Sequence, residues 1–298
     1  MARQAFGENL FLHKDYPIIV IKVEPPYPFL KFHDLDFTLQ KHYHDFSELV
    51  IVTAGTGLHW VEGFEFQVAA GDVFLIQGEQ QHFFKTLNNL TLYNVMYQPD
   101  RLPLPIKELK KIPGFTAVFV LEPAYRQKHN FNSRLHLDRS ALTKTQQILN
   151  QMEQELELMD AGFEISLFGD LVRLFVFLSR QYAKAPQTEQ GQAILRIAEV
   201  IGALEKEYAR PWKLSDLAGL ACMSEGNLHR VFKEATGQAP IDYLIQLRMH
   251  RSMELLSETM LTVTEIAFEV GFNDSNYFTR QFKKVVGMSP SRFRGTTR

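Results

Sequence analysis

The sequence predicts a two-domain α+β protein, in which a small antiparallel β-barrel or jelly roll with added helices precedes an all-α domain. Three observations support this prediction. Short apolar runs separated by glycines and asparagines fill residues 49–97, a helical period follows through residues 142–182, and one helical pattern occurs twice between residues 217 and 290. Short strands between turns are typical of barrels, whereas a repeated helical pattern indicates a duplicated unit.

The barrel is predicted over residues 1–133. Its apolar runs cover residues 49–53, 58–61, 64–68, 73–76, 82–85 and 90–97. They have the length of strands, and glycines stand between them as turn residues. Residues 99–133 contain several prolines, so we expect that stretch to be irregular.

Residues 134–183 predict a pair of helices. Leu142, Leu149 and Leu156 recur every seven residues, which is typical of a coiled-coil seam. This seam serves either a homodimer, which we favour, or packing within one chain. Residues 184–192 are polar and include a proline and a glycine, which predicts a flexible linker.

The C-terminal domain, residues 193–298, contains an internal repeat with an offset of fifty residues. In each copy an apolar helix, a turn and a second helix with a capping residue predict a helix–turn–helix unit. A helix over residues 241–257 would join the units and, at about 25 Å, could set them about one DNA turn apart. The repeat matches Ser224, Leu228, Arg230, Phe232, Lys233, Gly237 and Pro240 with Asp274, Phe278, Arg280, Phe282, Lys283, Gly287 and Pro290.

In the second helix of each unit, we expect apolar side chains such as Phe278, Phe282 and Val285 to face inward and polar ones to face outward. Arginine can pair with guanine and asparagine with adenine, whereas lysine suits phosphate. Arg280 has an alternative role in a salt bridge to Asp274 or Glu269. The DNA-binding candidates are Asn227, His229, Arg230 and Lys233 in the first unit and Ser275, Asn276, Thr279, Arg280 and Lys283 in the second.

Four polar residues mark a candidate site in the barrel. His42, His44 and Glu48 form an H-x-H-x3-E pattern, and His82 follows the next apolar runs. Side chains two apart on a strand share a face, and imidazole with carboxylate suits divalent first-row metals. Three interpretations stay open: a divalent metal site, direct hydrogen bonds to a polar ligand, or residual polar groups at the barrel mouth. Trp60 and Tyr93 would either flank a sugar ring or pack in the core.

The last hundred residues resemble the AraC/XylS family of transcriptional regulators. The resemblance implies binding to double-stranded promoter DNA, with His229 and Arg230 at base-contacting positions, and contact with RNA polymerase. It rests on motifs that include Leu228-His229-Arg230-Val231-Phe232-Lys233, Val270-Gly271-Phe272 and Gly287-Met288-Ser289-Pro290.

The first half resembles the two motifs of the cupin fold, whose histidines and glutamate can bind a divalent metal. The second motif is incomplete, because Gln77 and Glu79 stand where cupins tend to have proline and glycine. Within the AraC family this half looks like the L-rhamnose-responsive branch, which implies a sugar effector: L-rhamnose first, then another monosaccharide or a sugar acid. The branch resemblance rests on His42-x-His44-Asp45-Phe46-x-Glu48, Gly55-Thr56-Gly57-Leu58-His59 and Gly71-Asp72.

Composition limits the remaining alternatives. The chain has one cysteine, Cys222, which excludes an internal disulfide; we expect it to be buried. No apolar run approaches the ~20 residues of a membrane span, so we expect a bacterial cytoplasmic protein without a membrane partner. The C-terminal domain is only mildly basic, which favours a few placed DNA contacts over general coating of nucleic acid.

These features predict a DNA-binding transcriptional regulator, most simply an activator, that a small sugar controls. No catalytic acid–base pair is evident, so we expect no enzyme and no required cofactor, with a divalent metal possible in the barrel. One alternative is a metal-dependent cupin enzyme with an attached DNA-binding domain. Another is a scaffold protein that senses no ligand.

Overall fold

The computed structural model describes residues 3–5, 11, 16–27, 40–123, 134–185 and 189–296, and the structural statements below concern these residues. The chain divides into two compact units, residues 1–192 and residues 193–298. The first unit combines an antiparallel sheet with helices, and the described part of the second contains helices only. The predicted α+β fold class is confirmed.

The described strands of the first unit form one sheet in the order β1-β3-β7-β4-β6-β8, with β2 paired to β7 and β5 to β4. The pairs are antiparallel, except that β1 runs parallel to β3. The strands are β1 (Arg3–Ala5), β2 (Ile18–Val23), β3 (His42–His44), β4 (Ser47–Val61), β5 (Phe64–Ala69), β6 (Asp72–Gln77), β7 (His82–Tyr97) and β8 (Leu135–His136).

The sheet buries apolar side chains on both of its faces. One face carries Val50, Val52, Phe74 and Leu92 in a buried cluster. The other face packs against helices; there Tyr97 contacts Phe175 with ring centroids 5.2 Å apart. Burial on both faces explains why these strands read as apolar runs rather than as alternating patterns.

Residues 99–123, which we predicted to be irregular, contain short helices instead. They are a 3-10 helix (Pro99–Arg101), α1 (Ile106–Leu109), α2 (Pro113–Phe115) and a π-helix (Thr116–Leu121). Pro99 and Pro113 stand in the first turn of their helices, where proline is tolerated because its missing N–H has no partner to lose. The prediction is therefore wrong for this segment. Residues 124–133 of the same stretch lie outside the described residues.

Helices α3 (Arg139–Leu158) and α4 (Phe163–Lys184) pack against each other, and α3 also packs against β2. Asp138 caps α3 by accepting a hydrogen bond from the backbone N–H of Ala141. The seam residues Leu149 and Met152 are fully buried within the chain, so this part of the predicted seam packs intramolecularly. The helix ends at Met159, whose φ of 48° is left-handed. The homodimer stays a prediction.

The predicted linker over residues 184–192 is helical in part. Helix α5 (Glu189–Lys206) already begins at Glu189, because buried Ile194, Ile197 and Ala198 give the segment an apolar helical face. Residues 186–188 lie outside the described residues.

The second unit contains two helix–turn–helix pairs, α6–α7 and α9–α10, and α8 packs against helices of both. Its core includes Phe278 and Phe282, as the repeat predicts, but Val285 is 41 % exposed. Cys222 is also exposed rather than buried, and it occupies a left-handed position in the turn after α6. The helices are α6 (Leu214–Leu220), α7 (Glu225–Thr236), α8 (Pro240–Glu258), α9 (Val263–Glu269), α10 (Ser275–Val286) and α11 (Pro290–Thr296). In the described part of the chain no helix combines the length and apolarity needed to cross a membrane.

Candidate functional site

The four predicted polar residues of the first unit lie together. Strands β3 and β7 pair with His42 opposite His82, and the ring centroids of these two residues are 4.2 Å apart. The ring of His44 lies 5.2 Å from that of His82, and Glu48 stands at the start of β4. All four side chains are buried. The structure therefore forms one polar cluster from residues that are forty positions apart in the sequence.

A further histidine, His59, belongs to this cluster and was not among the predicted site residues. Its ring is 2 % exposed, stacks on Phe84 at 4.4 Å and lies 5.6 Å from the ring of His82. Side chains alternate between the two faces of a strand, so an unbroken strand would place His59 on the face of β4 opposite to Glu48. Three register shifts between Val52 and His59 bring both residues to the same face. A bulge signal such as Gly55 in the strand could have indicated this.

Hydrogen bonds fix the tautomers of two of the histidines. Nδ1 of His44 lies 2.8 Å from the carbonyl oxygen of Phe46, and Nδ1 of His42 lies 2.8 Å from that of Gln40. A carbonyl only accepts, so both Nδ1 atoms donate. Nε2 of a neutral His44 would then turn its lone pair toward Oε2 of Glu48, 3.2 Å away. A proton on Nε2 of His44 would make this contact a hydrogen bond from His44 to Glu48.

His82 supplies a second such contact. Its Nε2 is buried without a hydrogen-bond partner in the described structure, and Oε2 of Glu48 lies 3.4 Å away. Burial, together with His42, His44 and His59, holds the pKa of His82 well below its ordinary value. The ring is therefore neutral at physiological pH, so its contact with Glu48 is not an ion pair.

Three of these residues fit a metal ion. His42, Glu48 and His82 offer ligand atoms that all lie within 4.8 Å of one another. Two imidazoles and one carboxylate are a donor set that first-row divalent metals accept. The sequence suggested four ligands, whereas the geometry groups three and leaves His44 as a neighbour that contacts the Glu48 carboxylate.

The two aromatic candidates lie away from this cluster. Trp60 follows His59 on β4 and faces the other side, where it contacts Phe83 and where Nζ of Lys41 lies 4.4 Å from its ring. The hydroxyl of Tyr93 donates to Oδ1 of Asn150 on α3, at 2.9 Å. Burial and the nearby Glu153 raise the pKa of Tyr93. The structure does not bring either ring together with the histidines.

In the second unit, α7 and α10 are the second helices of their pairs and are called the recognition helices below. Each has 12 residues, and their bounds differ by the predicted offset of fifty. Oγ of Ser224 accepts from the N–H of Asn227, and Oδ1 of Asp274 accepts from that of Asn276. Each helix ends at a glycine with positive φ. The internal repeat is thus a repeat of structure as well as of sequence.

The predicted DNA-binding residues differ in how their side chains are held. Thr279 donates its hydroxyl to the carbonyl of Ser275, and both side chains are half-buried. Arg280 lies over the ring of Tyr277 at 5.9 Å. The described residues include no salt bridge from Arg280 to Asp274 or Glu269, the alternative that the sequence left open. The exposed candidates are Asn227, His229, Arg230, Lys233, Asn276, Arg280 and Lys283.

Comparison with known proteins assigns a domain type to each unit. Residues 30–167 match the model of an AraC-like ligand binding domain. Residues 217–296 match the model of a helix-turn-helix domain. The first match contains the whole histidine cluster, and the second contains both recognition helices.

Curated relatives match most of the chain. This chain is 32% identical over 257 residues to the HTH-type transcriptional activator RhaR of Salmonella schwarzengrund. The aligned region covers 85% of this chain and 86% of the relative. The chain is 33% identical over 261 residues to the protein of that name from Enterobacter sp., with 87% and 88% covered. These relatives are transcriptional activators, which confirms the prediction that the chain is no enzyme and leaves the cupin-enzyme alternative without support.

Two solved protein domains match the chain over about a third of its length. The DNA-binding domain of AdpA, in complex with a target DNA, is 31% identical and covers 34% of this chain and 91% of that one, with a TM-score of 0.32. The C-terminal domain of the two-component response regulator yesN from Fusobacterium nucleatum is 38% identical, covers 32% and 93%, and has a TM-score of 0.31.

Proposed function

The chain belongs to the AraC family of transcriptional regulators, and on that premise we propose that a monosaccharide bound in the first unit controls its binding to promoter DNA. It is a DNA-binding transcriptional activator with a ligand-binding domain. What we add is the chemical class of the ligand, its place in the first unit, and the residues that hold it.

The observation that carries the proposal is the buried polar cluster inside the ligand-binding domain. Buried polar groups without partners destabilise a fold, so a cluster of imidazoles beside a carboxylate indicates a binding role. His82 leaves an unpartnered nitrogen there, and Glu48 is a buried acceptor. Sugar hydroxyls both donate and accept, and so they can satisfy both groups. L-rhamnose is our first candidate because the chain resembles the L-rhamnose-responsive activators.

We further propose that a divalent metal can occupy the cluster. His42, Glu48 and His82 would hold it, and His44 would orient the carboxylate of Glu48. Bound there, the metal would supply a positive charge to which the oxygen atoms of a sugar are attracted. The close approach of ligand atoms from two histidines and Glu48 supports this proposal, because these atom types bind first-row metals. A required cofactor is not part of the proposal.

Control of DNA binding then follows from linkage between the two units. A ligand that binds more tightly to the DNA-competent state raises the population of that state, and DNA raises the affinity for the ligand by the same factor. Arg230 and Arg280 would contact bases, whereas Lys233 and Lys283 would contact phosphates. From the family resemblance we propose that the protein acts as a homodimer and contacts RNA polymerase at the promoter.

The test uses the full chain with a panel of monosaccharides, each with and without a divalent metal. A ligand of the folded state raises the melting temperature by mass action, and the effective sugar should also change the affinity for DNA by about tenfold. The DNA is a duplex selected from a random pool with the wild-type protein. His82→Ala should abolish the sugar response, whereas His250→Ala, at an exposed position on α8, should preserve it. The absence of any shift with the whole panel would reject the sensor role.

A further inference from the structure

The two recognition helices carry opposite charges at one aligned position. Four residues after the arginine of each helix, α7 carries Glu234 and α10 carries Lys284. The basic positions nearby agree, since Arg230 matches Arg280 and Lys233 matches Lys283, whereas the acidic Glu225 aligns with the uncharged Ser275. A reversal of charge close to a matched arginine indicates a difference in how the two helices contact DNA.

Glu234 forms an ion pair with the arginine of its own helix. Nη1 of Arg230 lies 2.9 Å from both carboxylate oxygens of Glu234. Nη2 of the same guanidinium lies 3.0 Å from Oδ1 of Asn227. Arg230 thus has two partners along its helix, whereas Lys284 offers no acceptor to Arg280.

This difference changes the net charge of each helix. In α7 the charges of Arg230 and Lys233 are balanced by Glu225 and Glu234. Helix α10 has three basic side chains, Arg280, Lys283 and Lys284, and no acidic one. Attraction between a protein and the DNA backbone grows with the number of phosphates that its basic groups neutralise. Helix α10 therefore has much the stronger sequence-independent attraction to DNA.

We propose that Glu234 is a specificity-determining residue that keeps Arg230 away from phosphates until a guanine is available. This inference rests on the proposed contacts of α7 and α10 with DNA. Guanine presents O6 and N7 as two adjacent acceptors, and Arg230 can exchange the two oxygens of Glu234 for these. A phosphate also offers two oxygens to Arg230, but its negative charge would lie beside that of Glu234 and be repelled. Arg230 therefore gains less by leaving Glu234 for a phosphate than for a guanine.

The ion pair suits this role because it is weak. The side chains of Arg230 and Glu234 are 60% and 36% exposed, and pairs of such exposure contribute little to stability. Specific binding therefore loses little when the pair opens. At other sequences Glu234 faces phosphates within the screening length of ~8 Å and repels them. Helix α10 then attracts DNA of any sequence, and α7 selects among sequences.

The experiment compares Glu234→Gln with Lys284→Gln, its matched position in the second unit. Both side chains are on the surface, so circular dichroism and melting temperature should stay as in the wild-type full chain. Affinities are measured by fluorescence anisotropy for a duplex selected from a random pool with the wild-type protein and for a scrambled duplex of equal composition. Salt is varied from about 50 to 200 mM.

Glu234→Gln should tighten binding to the scrambled duplex by about fivefold, the gain expected from about one added phosphate contact, and should change binding to the selected duplex less than about twofold. Lys284→Gln should weaken both duplexes by one common factor and make the salt dependence shallower by about one unit. In an Arg230→Ala background, Glu234→Gln should no longer affect the two duplexes differently, because only the direct repulsion between Glu234 and phosphates remains.

Two results would overturn the inference: equal shifts of both duplexes when Glu234→Gln is made in the wild type, or a loss of affinity confined to the selected duplex. Either would leave the proposed function intact. If the wild-type chain enriched no sequence from the random pool, the proposed function would fail, and the role of Glu234 would fail with it.

Discussion

Oε2 of Glu48 lies 3.4 Å from Nε2 of His82, and both side chains are buried in the first unit. Because the pKa of His82 is held well below its ordinary value, this contact joins a neutral imidazole to a carboxyl group. Buried polar atoms without a suitable partner destabilise a fold, and a bound cation or a ligand hydroxyl could serve as that partner here. What binds between these two atoms is therefore the central question about the first unit.

Metal content tests this point directly. After treatment with a chelator and addition of one divalent metal at a time, we expect the full chain to bind about one equivalent of a first-row metal. Binding at a hundredfold excess over Kd would stabilise the fold by about 2.7 kcal/mol. Glu48→Gln and His82→Ala should lose the metal. Elemental analysis and melting curves measure both effects.

His44→Ala and His250→Ala serve as controls for the metal experiment. The first removes a contact to the Glu48 carboxylate at 3.2 Å, so it should lower the metal affinity by about 10–100-fold while preserving the stoichiometry. The second changes an exposed histidine on α8 and should have no effect. If His82→Ala bound as much metal as the wild type, the ion would have to lie elsewhere.

Two glycines of the second unit allow the energetic cost of backbone strain to be measured apart from the cost of steric crowding. Gly271 and Gly237 have φ values of 90° and 81°. A Cβ at Gly271 would lie 2.4 Å from the carbonyl oxygen of Ala209, whereas nothing lies within 4 Å of one at Gly237. Gly237→Ala should therefore cost about 1–2 kcal/mol of unfolding free energy. Gly271→Ala should cost about 1–3 kcal/mol more, because the backbone must move.

The measurement for the glycine pair is denaturant unfolding followed by tryptophan fluorescence. The chain has two tryptophans, so a Trp60→Phe background leaves Trp212 as the reporter for the second unit. Equal destabilisation by the two substitutions would show that the close approach to Ala209 relaxes without cost.

Tyr243 gives the second unit an alkaline pH dependence. Burial first, and the neighbouring Glu205 second, raise the pKa of Tyr243 above its ordinary value near 10. The folded state then holds its proton at pH values where the unfolded chain releases it. This contribution to stability is fully present below about pH 10 and falls as the pH rises through the raised pKa.

Tyr243→Phe tests this dependence. At pH 8 the variant should be less stable by about 1–2 kcal/mol, because the hydrogen bond from the hydroxyl to Oε1 of Glu205 is lost while the ring contact with Phe232 is kept. Between about pH 9 and 11 its unfolding free energy should fall less steeply than that of the wild type. Parallel curves from urea titrations across this range would contradict the assignment.

The repeat explains why the second unit was predictable from sequence. Residues fifty apart, such as Phe232 and Phe282, form the same buried helix face, and capping residues and glycines bound both recognition helices. Caps and glycines are local signals, and the apolar side chains recur with the helical period of 3.6 residues. Both can therefore be recognised in the sequence without knowledge of the tertiary structure. Val285 was predicted to face inward because it is apolar and follows Phe282 by three residues, but it is 41% exposed, and one exposed valine near a helix end costs little.

The first unit was predictable in class but not in detail. Strand alternation depends on an unbroken count, and the register shifts between Val52 and His59 in β4 break it. For that reason His59 was not recognised as a cluster member. Tyr93 lies on the face of β7 opposite to Leu92, where its hydroxyl contacts Asn150 of the distant helix α3. Contacts between such distant segments have no signature in a single sequence.

The final prediction separates base contacts from phosphate contacts in α10. Arg280 and Lys283 are both exposed on this helix. If Arg280 pairs with a guanine, Arg280→Ala should weaken binding to the selected duplex by about 1–3 kcal/mol and relax the sequence preference at one position. Lys283→Ala should weaken the selected and scrambled duplexes equally and reduce the salt slope by about one. Anisotropy titrations at several salt concentrations distinguish the two patterns. Full discrimination retained by Arg280→Ala would mean that this arginine contacts the backbone or no DNA at all, and that the base contacts of α10 come from Asn276 or a neighbouring side chain.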